Sequence, residues 1–284
     1  MSRPQQKQGS PDGALATVDQ FLVLERVRDS EFGPVFRCRD RHSRAEVMLR
    51  ACPDGLSENT LDRLRSAAHE LGGVVHPCVV GHARVHVVAD VQLADSQTTE
   101  PVDPMPIKIG DVFIVLPWTS ALTLGEWIAQ RPDGVVTREM GLRFCSFLAA
   151  ALDALHDQGI VHGEVCASQI HVSPDSTPLL LAAGLGRIMR GAESTLPPDM
   201  TDVERCRAPE QWRGEALTPA ADQYALAALT YESVAGRHPL SGAFDAPDVE
   251  GILQRVETLY PVEIFEFTPE QNAALLRALS RSGA

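Results

Sequence analysis

Six cysteines are the first side chains in this sequence with reactive chemistry of their own: Cys38, Cys52, Cys78, Cys145, Cys166 and Cys206. No two form a CxxC pair, and no Cys/His spacing matches a zinc site. They read as free thiols of a reducing cytoplasmic compartment. Serine, histidine and aspartate are scattered along the chain without the arrangement of a hydrolase. Spacing alone therefore assigns no nucleophile and no metal.

Net charge narrows the partners. The chain has 25 Lys and Arg against 38 Asp and Glu, a formal charge of -13. An acidic surface repels phosphate backbones and anionic lipid, so neither nucleic acid nor a membrane surface is expected as a partner. The N-terminus is polar and lacks a signal-type apolar core. No run approaches the ~20 apolar residues of a membrane span. With 284 residues, 44% of them hydrophobic, the chain can bury a sizeable core.

Residues 1–19, rich in Gln, Ser, Gly and Pro, read as a flexible tail. From Gln20 the pattern changes. FLVLERV, GPVFRCRD and AEVMLRAC read as strands. Residues 57–71 place Leu61, Leu64, Ala68 and Leu71 at helical spacing, with Ser57 as N-cap and Gly72-Gly73 as the stop. VVGHARVHVVAD and DVFIVLPW read as further strands, joined by a polar surface loop, DSQTTEPVDPMP. The rest is mostly helical. Residues 137–156 set Cys145, Leu148, Leu152 and Leu155 on one face. A second helix starts with Thr218 and Pro219, ends at Gly236, and is apolar nearly all round, as a buried central helix must be. PEQNAALLRALSRSGA starts a last helix. A β-rich part with one helix followed by a helical part is an α+β arrangement.

This order resembles the eukaryotic-like serine/threonine protein kinases, especially the bacterial branch. Gly33-Pro34-Val35 resembles the end of the glycine-rich loop. Residues 46–52, EVMLRAC, stand where the family has its VAIK strand. HPCVV at 76–80 follows the family's helix C, and FIVLPW at 113–118 resembles the hinge strand, with Leu116 as gatekeeper. ALDALHDQGIVHGEVCASQIHV at 151–172 is similar to the catalytic loop, "LH..GIVHRDLKPxNILL". Arg207-Ala208-Pro209-Glu210 reproduces the APE segment, and Asp222-Gln223-Tyr224-Ala225-Leu226 the DVYSLG helix. The resemblance implies a bilobal kinase-like fold: a β-rich N-lobe and hinge at 20–119 and a helical C-lobe at 120–284.

Phosphoryl transfer needs placed charge: a lysine on the phosphates, a metal-binding Asp and Asn, and an Asp at the nucleophile. By this resemblance those places carry other residues. The lysine is Arg50, which keeps the charge in a different geometry. Its helix-C glutamate is Ser66 or Ala67, with Glu70 one turn on. The catalytic Asp is Glu164, a methylene longer; misplacement by about 1 Å can cost on the order of 100-fold. The arginine before it is Gly163, and the lysine after it is Cys166. The metal-binding Asn is Gln169. The DFG triplet reads Ala182-Ala183-Gly184, so the metal-binding carboxylate is a methyl group. Ala183 in place of the phenylalanine leaves a gap that a neighbour is expected to refill.

The nucleotide cleft carries Gly33, Val35, Met48, Leu116, Pro117, Thr119 and His171. Arg28 and Ser30 replace two loop glycines, Met48 replaces the VAIK alanine, and His171 replaces the leucine below the adenine. Pro117 and Thr119 keep backbone groups for a purine. His162, Glu210 and Asp222 are the retained structural residues. The arginine that normally pairs with Glu210 falls beyond Arg281, so either the pair is missing or the chain is part of something longer. Ser194, Thr195 and Thr201 lie where active relatives are phosphorylated, but without the arginine replaced by Gly163 they read as ordinary loop residues.

The resemblance so amended implies a pseudokinase: a regulatory or protein-interaction domain without ATP or magnesium. The alternatives are a weak kinase using Glu164, Gln169 and Arg50, and a metal-independent nucleotide sensor.

Overall fold

The computed structural model describes residues 14–93, 106–119, 122–190, 201–246 and 248–280. The chain divides into two compact units, Met1–His69 with His82–Thr119, and Glu70–Gly81 with Ser120–Ala284.

The first unit is a seven-stranded antiparallel sheet and most of one helix. Its elements are β1 (Ala16–Val18), β2 (Phe21–Ser30), β3 (Gly33–Asp40), β4 (Glu46–Ala51) and α1 (Glu58–Leu71). Beyond β5 (Val79–Val80), which belongs to the second unit, come β6 (Arg84–Val87), β7 (Val91–Leu93) and β8 (Val112–Pro117). The strand order is β6-β8-β4-β3-β2-β1-β7. Side chains alternate across the pleat, so Val47, Leu49 and Ala51 join one core with Phe36, Cys38, Phe113 and Val115. Met48 and Arg50 take the other face, level with Leu116 and Ile114. That face is buried too, which is why β4 reads as an apolar run rather than an alternation. Helix α1 buries Leu61, Leu64, Ala68 and Leu71, the face its spacing predicts, and Ser57 Oγ accepts from Thr60 N at 3.1 Å.

Two local expectations change. Residues 14–19 are not a tail: β1 pairs with β2 and with β7. Asp19, in left-handed backbone at φ 48°, accepts from the amides of Ala89 at 3.0 Å and Asp90 at 2.8 Å. The partners that make this strand lie about 70 residues away, beyond the reach of local pattern. The run VVGHARVHVVAD is two strands, not one. It breaks at Gly81, where a Cβ would sit 2.9 Å from the carbonyl oxygens of Leu71 and Val74.

The second unit holds β9 (Leu122–Thr123), α2 (Leu124–Ala129), α3 (Arg138–His156), β10 (Ile170–Val172), β11 (Pro178–Leu181), α4 (Leu185–Arg190), α5 (Asp202–Arg205), α6 (Pro209–Trp212), α7 (Pro219–Ala235), α8 (Val249–Thr258) and α9 (Pro269–Ala278). A small sheet runs in the order β5-β11-β10-β9. Helix α7 starts with Pro219 after Thr218 and stops at Gly236, φ 67°. It is buried on nearly every side, as its sequence predicts. It packs closely on α3, whose N-cap is Thr137, because Gly141 has no side chain: a Cβ there would collide with Val234 Cγ2. Gly141→Ala is expected to lower unfolding free energy by about 2 kcal/mol. The urea midpoint of the variant checks this, and an unchanged midpoint would mean that α3 and α7 can move apart freely.

Candidate functional site: a modified catalytic loop

The two units each carry some of the positions that the resemblance singles out. In the first, β2 and β3 close in a tight hairpin in which Ser30 faces Gly33, and Ser30 Oγ donates to the Gly33 carbonyl at 2.9 Å. Gly33 adopts φ +123°, a region that favours glycine. Val35 and Arg50 are cross-strand partners, as are Met48 and Leu116. Arg50 is 8% exposed and Met48 2%. On α1, Ser66 and Glu70 are exposed and Ala67 is half-buried. Pro117 and Thr119 end this unit; between them Trp118 N donates to the Glu46 carbonyl at 3.1 Å, and the Arg37 guanidinium lies 5.4 Å from the Trp118 ring centroid.

The second unit holds the loop from Ile160 to Gln169. Its anchor is Asp222 on α7, which is fully buried. Asp222 accepts from the amides of His162 at 2.8 Å and Gly163 at 2.7 Å, and bonds His156 Nε2 at 2.8 Å. Gly163 takes φ +77°. His162 Nδ1 accepts from Glu164 N at 3.2 Å. The proton therefore sits on Nε2, which donates to the Leu181 carbonyl at 3.1 Å. Burial holds the His162 imidazole below its ordinary value, against the pull of the Asp222 charge.

Sequence reasoning missed the partner of Glu164. Helix α4 carries Gly186 and Arg190 over the loop. Arg190 Nη2 lies 2.6 Å and Nε 3.0 Å from Glu164 Oε1. Both side chains are buried, at 9% and 8% exposure. A Cβ on Gly186 would collide with Glu164 Oε2, so the glycine makes the seat that the longer carboxylate occupies. The signal was present in LGRIMR, a glycine and an arginine at i and i+4, but nothing local says what they face.

The other positions are as follows. Cys166 is fully buried, and burial raises its thiol well above the ordinary value; it stays protonated and is no nucleophile. Gln169 and His171 are buried, His171 on β10 opposite Leu179 and Thr123. Ala182 has φ +54°, a conformation Asp and Asn enter more readily than Ala. Ala183 is 3% exposed. Glu210 on α6 is half-buried and makes no ion pair among the described residues. Thr201 binds Glu204 through its amide at 3.1 Å and through its hydroxyl. Ser194 and Thr195 lie outside the described residues.

Acid sensitivity follows from the buried histidines. Burial, aided by the Arg205 charge, takes His238 down to about 4, and its Nε2 bonds the Arg205 carbonyl at 2.9 Å. Below about pH 6.5 the unfolded chain binds protons at His162 and His238 that the folded chain refuses. Stability therefore falls as pH drops below 6.5, for His238 down to about pH 4 by up to about 1.4 kcal/mol per pH unit, with His162 acting in the same direction. Burial raises Glu232, which acts in the opposite sense. The check is the difference in urea midpoint between wild type and His238→Gln at pH 7 and pH 5. The slope should flatten in the variant; parallel slopes refute the assignment.

The arrangement defines a class. A model of the protein tyrosine and serine/threonine kinase family matches residues 22–278, and the chain belongs to that family. PknB of Mycolicibacterium smegmatis, a serine/threonine-protein kinase, is 25% identical over 224 residues, 78% of this chain and 33% of that protein. PknB of Mycobacterium tuberculosis is 25% identical over 187 residues, 65% of this chain and 27% of its own length. PknK of Mycobacterium tuberculosis is 26% identical over 219 residues, 76% and 18%. The chain thus spans about a third or less of these three relatives. The crystal structure of the Mycobacterium tuberculosis PknI kinase domain covers 94% of this chain and 89% of its own with a TM-score of 0.64 at 19% identity, which shows the fold. The α+β bilobal kinase-like fold and the bacterial branch expected from sequence are both shown. Among the described residues no helix is long and apolar enough to cross a membrane.

One expectation is overturned. The chain was expected to take neither ATP nor magnesium, yet it belongs to a family whose matched relatives are named serine/threonine-protein kinases, and that reaction uses ATP with Mg²⁺. The expectation gave too much weight to one missing carboxylate. Mg²⁺ arrives on nucleotide phosphates, keeps several waters and takes only one or two protein oxygens. Ala182 offers none, and the described residues contain no group of three His, Cys, Asp or Glu placed to hold a metal. The amide oxygen of Gln169 is nevertheless a donor of the right chemistry, so with Glu164 held by Arg190 the residues fit a metal carried chiefly by the nucleotide.

Proposed function

We propose that this kinase-family domain is catalytically silent and acts as a regulatory, protein-binding module: a pseudokinase in the sense that it does not transfer phosphate, whatever it binds. The observation that carries the reading is the buried pair of Glu164 with Arg190. A base or orienting carboxylate must reach the hydroxyl whose proton it takes, at about 2.6–3.2 Å. Glu164 instead spends Oε1 on a guanidinium and packs Oε2 against Gly186. A nucleotide's chemistry, when it is bound, is a phosphoryl group offered to an acceptor; this chain's own residues do not present the acceptor's base. Cys166 supplies no cation where the family places a lysine.

Scaffold and chemistry have separated. His162 and Asp222 still hold the loop, so the domain keeps its shape while the charge-handling positions are altered. Such a scaffold suits binding. Free cysteines and the absence of a spanning helix among the described residues fit work in the cytoplasm.

A second reading has one observation in its favour. Glu164 keeps a carboxylate on a loop that is otherwise fully anchored, so release of α4 would free it for slow transfer. Incubation with radiolabelled ATP and Mg²⁺, comparing wild type, Glu164→Ala and Arg190→Ala, separates the two. The proposal expects equal background label in all three. Label that depends on Glu164 sinks it, and label that rises in Arg190→Ala establishes the second reading.

A further inference from the structure

Helices α6 to α9 leave a cavity of about 320 Å³, lined by Pro209, Tyr224, Val256, Leu259, Tyr260 and Leu276. From its rim the chain runs on through Tyr260, Val262 and Phe265, which are 78%, 60% and 97% exposed. Isolated exposed apolar residues are ordinary, but three within six residues beside an apolar cavity form a patch of the kind that marks an interface.

The exposure is built in. Tyr231 donates its hydroxyl to the Val262 carbonyl at 2.8 Å. The Asn272 side chain accepts from Ile264 N at 2.9 Å and donates to Ile264 O at 3.0 Å. Ile264 and Phe267 turn into the core. The backbone between α8 and α9 is thus pinned from inside while Tyr260, Val262 and Phe265 are held outward, which lowers the ordering cost of binding.

Charge selects the occupant. Between Asp248 and Ser280 the acids are Asp248, Glu250, Glu257, Glu263, Glu266 and Glu270, against Arg255 and Arg277. From outside the segment Arg213 pairs with Glu257 at 3.0 Å and Arg138 donates to the Glu266 carbonyl at 3.3 Å, so the acids to be met are the carboxylates of Glu263 and Glu266. Arg255 is engaged with the Gly242 carbonyl at 2.7 Å. Glu263 and Glu266 are exposed and alternate with the apolar side chains. A second copy would bring the same acids against these. Residues 94–105 and 191–200 carry acids and no base, and residues 1–13 carry Arg3 and Lys7 but no large apolar residue apart from Met1. None of them complements the patch.

We propose that the segment between α8 and α9 docks a partner protein through a stretch that interleaves arginine or lysine with leucine or aromatic residues. The apolar side chains enter the cavity and cover Phe265, and the cations meet Glu263 and Glu266. The surface uses no residue of the catalytic loop and stands whether or not the chain transfers phosphate.

The test uses the full chain and a fluorescein-labelled peptide of about a dozen residues that alternates arginine with leucine and phenylalanine, read by anisotropy. Tyr260→Ser with Phe265→Ser is expected to weaken binding about tenfold or more at any salt. Glu263→Gln with Glu266→Gln should weaken it about fivefold at low salt and less at high salt. All four positions are exposed, so unchanged melting of the variants confirms that they fold. A peptide with serine in place of leucine and phenylalanine should bind poorly. Glu58→Gln, on α1, should change nothing. The proposal fails if the wild type does not bind, if the serine peptide binds equally, or if the α1 variant weakens binding as much as the patch variants. It also fails if sedimentation shows a dimer that Phe265→Ser dissolves.

Discussion

Asp222→Ala is expected to be the most destabilising single substitution in the second unit, by about 3–5 kcal/mol. Asp222 has no exposure and takes bonds from three donors, two of them the backbone amides of His162 and Gly163. Removing the carboxylate strands both amides in a place water does not reach, and each orphaned donor costs about 1–3 kcal/mol. Replacement by Asn keeps one accepting oxygen but turns an N–H toward a donor, so it should recover only part of the loss. Equilibrium urea denaturation gives the difference, and amide exchange at residues 162–164 should rise in step. A loss below about 1 kcal/mol would mean that the loop holds its shape without this anchor.

Arg190→Ala comes next, with an expected loss of about 3 kcal/mol. Two charges buried to this degree contribute little as a pair, because desolvation offsets their attraction. Removing one leaves the other buried without its counter-charge. Hence the informative comparison is the double variant. Glu164→Gln with Arg190→Ala should be more stable than Arg190→Ala alone. Gly186→Ala should act in the same direction as Arg190→Ala, since its methyl group displaces the carboxylate from its seat. If Arg190→Ala unfolds no more easily than wild type while the double variant is worse, the pair does not exist in solution, and the proposal of a silenced Glu164 loses its support.

The parts of the fold legible in sequence were those with local signatures. Helix α7 announced itself by Thr218, Pro219 and Gly236 around an apolar stretch, and α1 by its four buried positions. The catalytic loop was legible as an ordered string of types from His162 to His171. The strand β1 was not, because three residues have no pattern until β2 and the distant β7 pair with them. The break at Gly81 was invisible for a similar reason: its cause is two carbonyl oxygens from the preceding turn.

At the site the division is sharper. By its residue types alone the sequence determined that Glu164 is a carboxylate, that Ala182 has no donor atom, and that His162 and Asp222 are available to hold a loop. Side-chain chemistry is a property of the residue, so these survive any packing. Only the tertiary structure decided which charges are available. It places Gly186 and Arg190 against Glu164, and it turns Phe265 outward while Asn272 pins its neighbours. Burial and pairing arise from contacts between segments far apart in sequence, and they set whether a charged group can act.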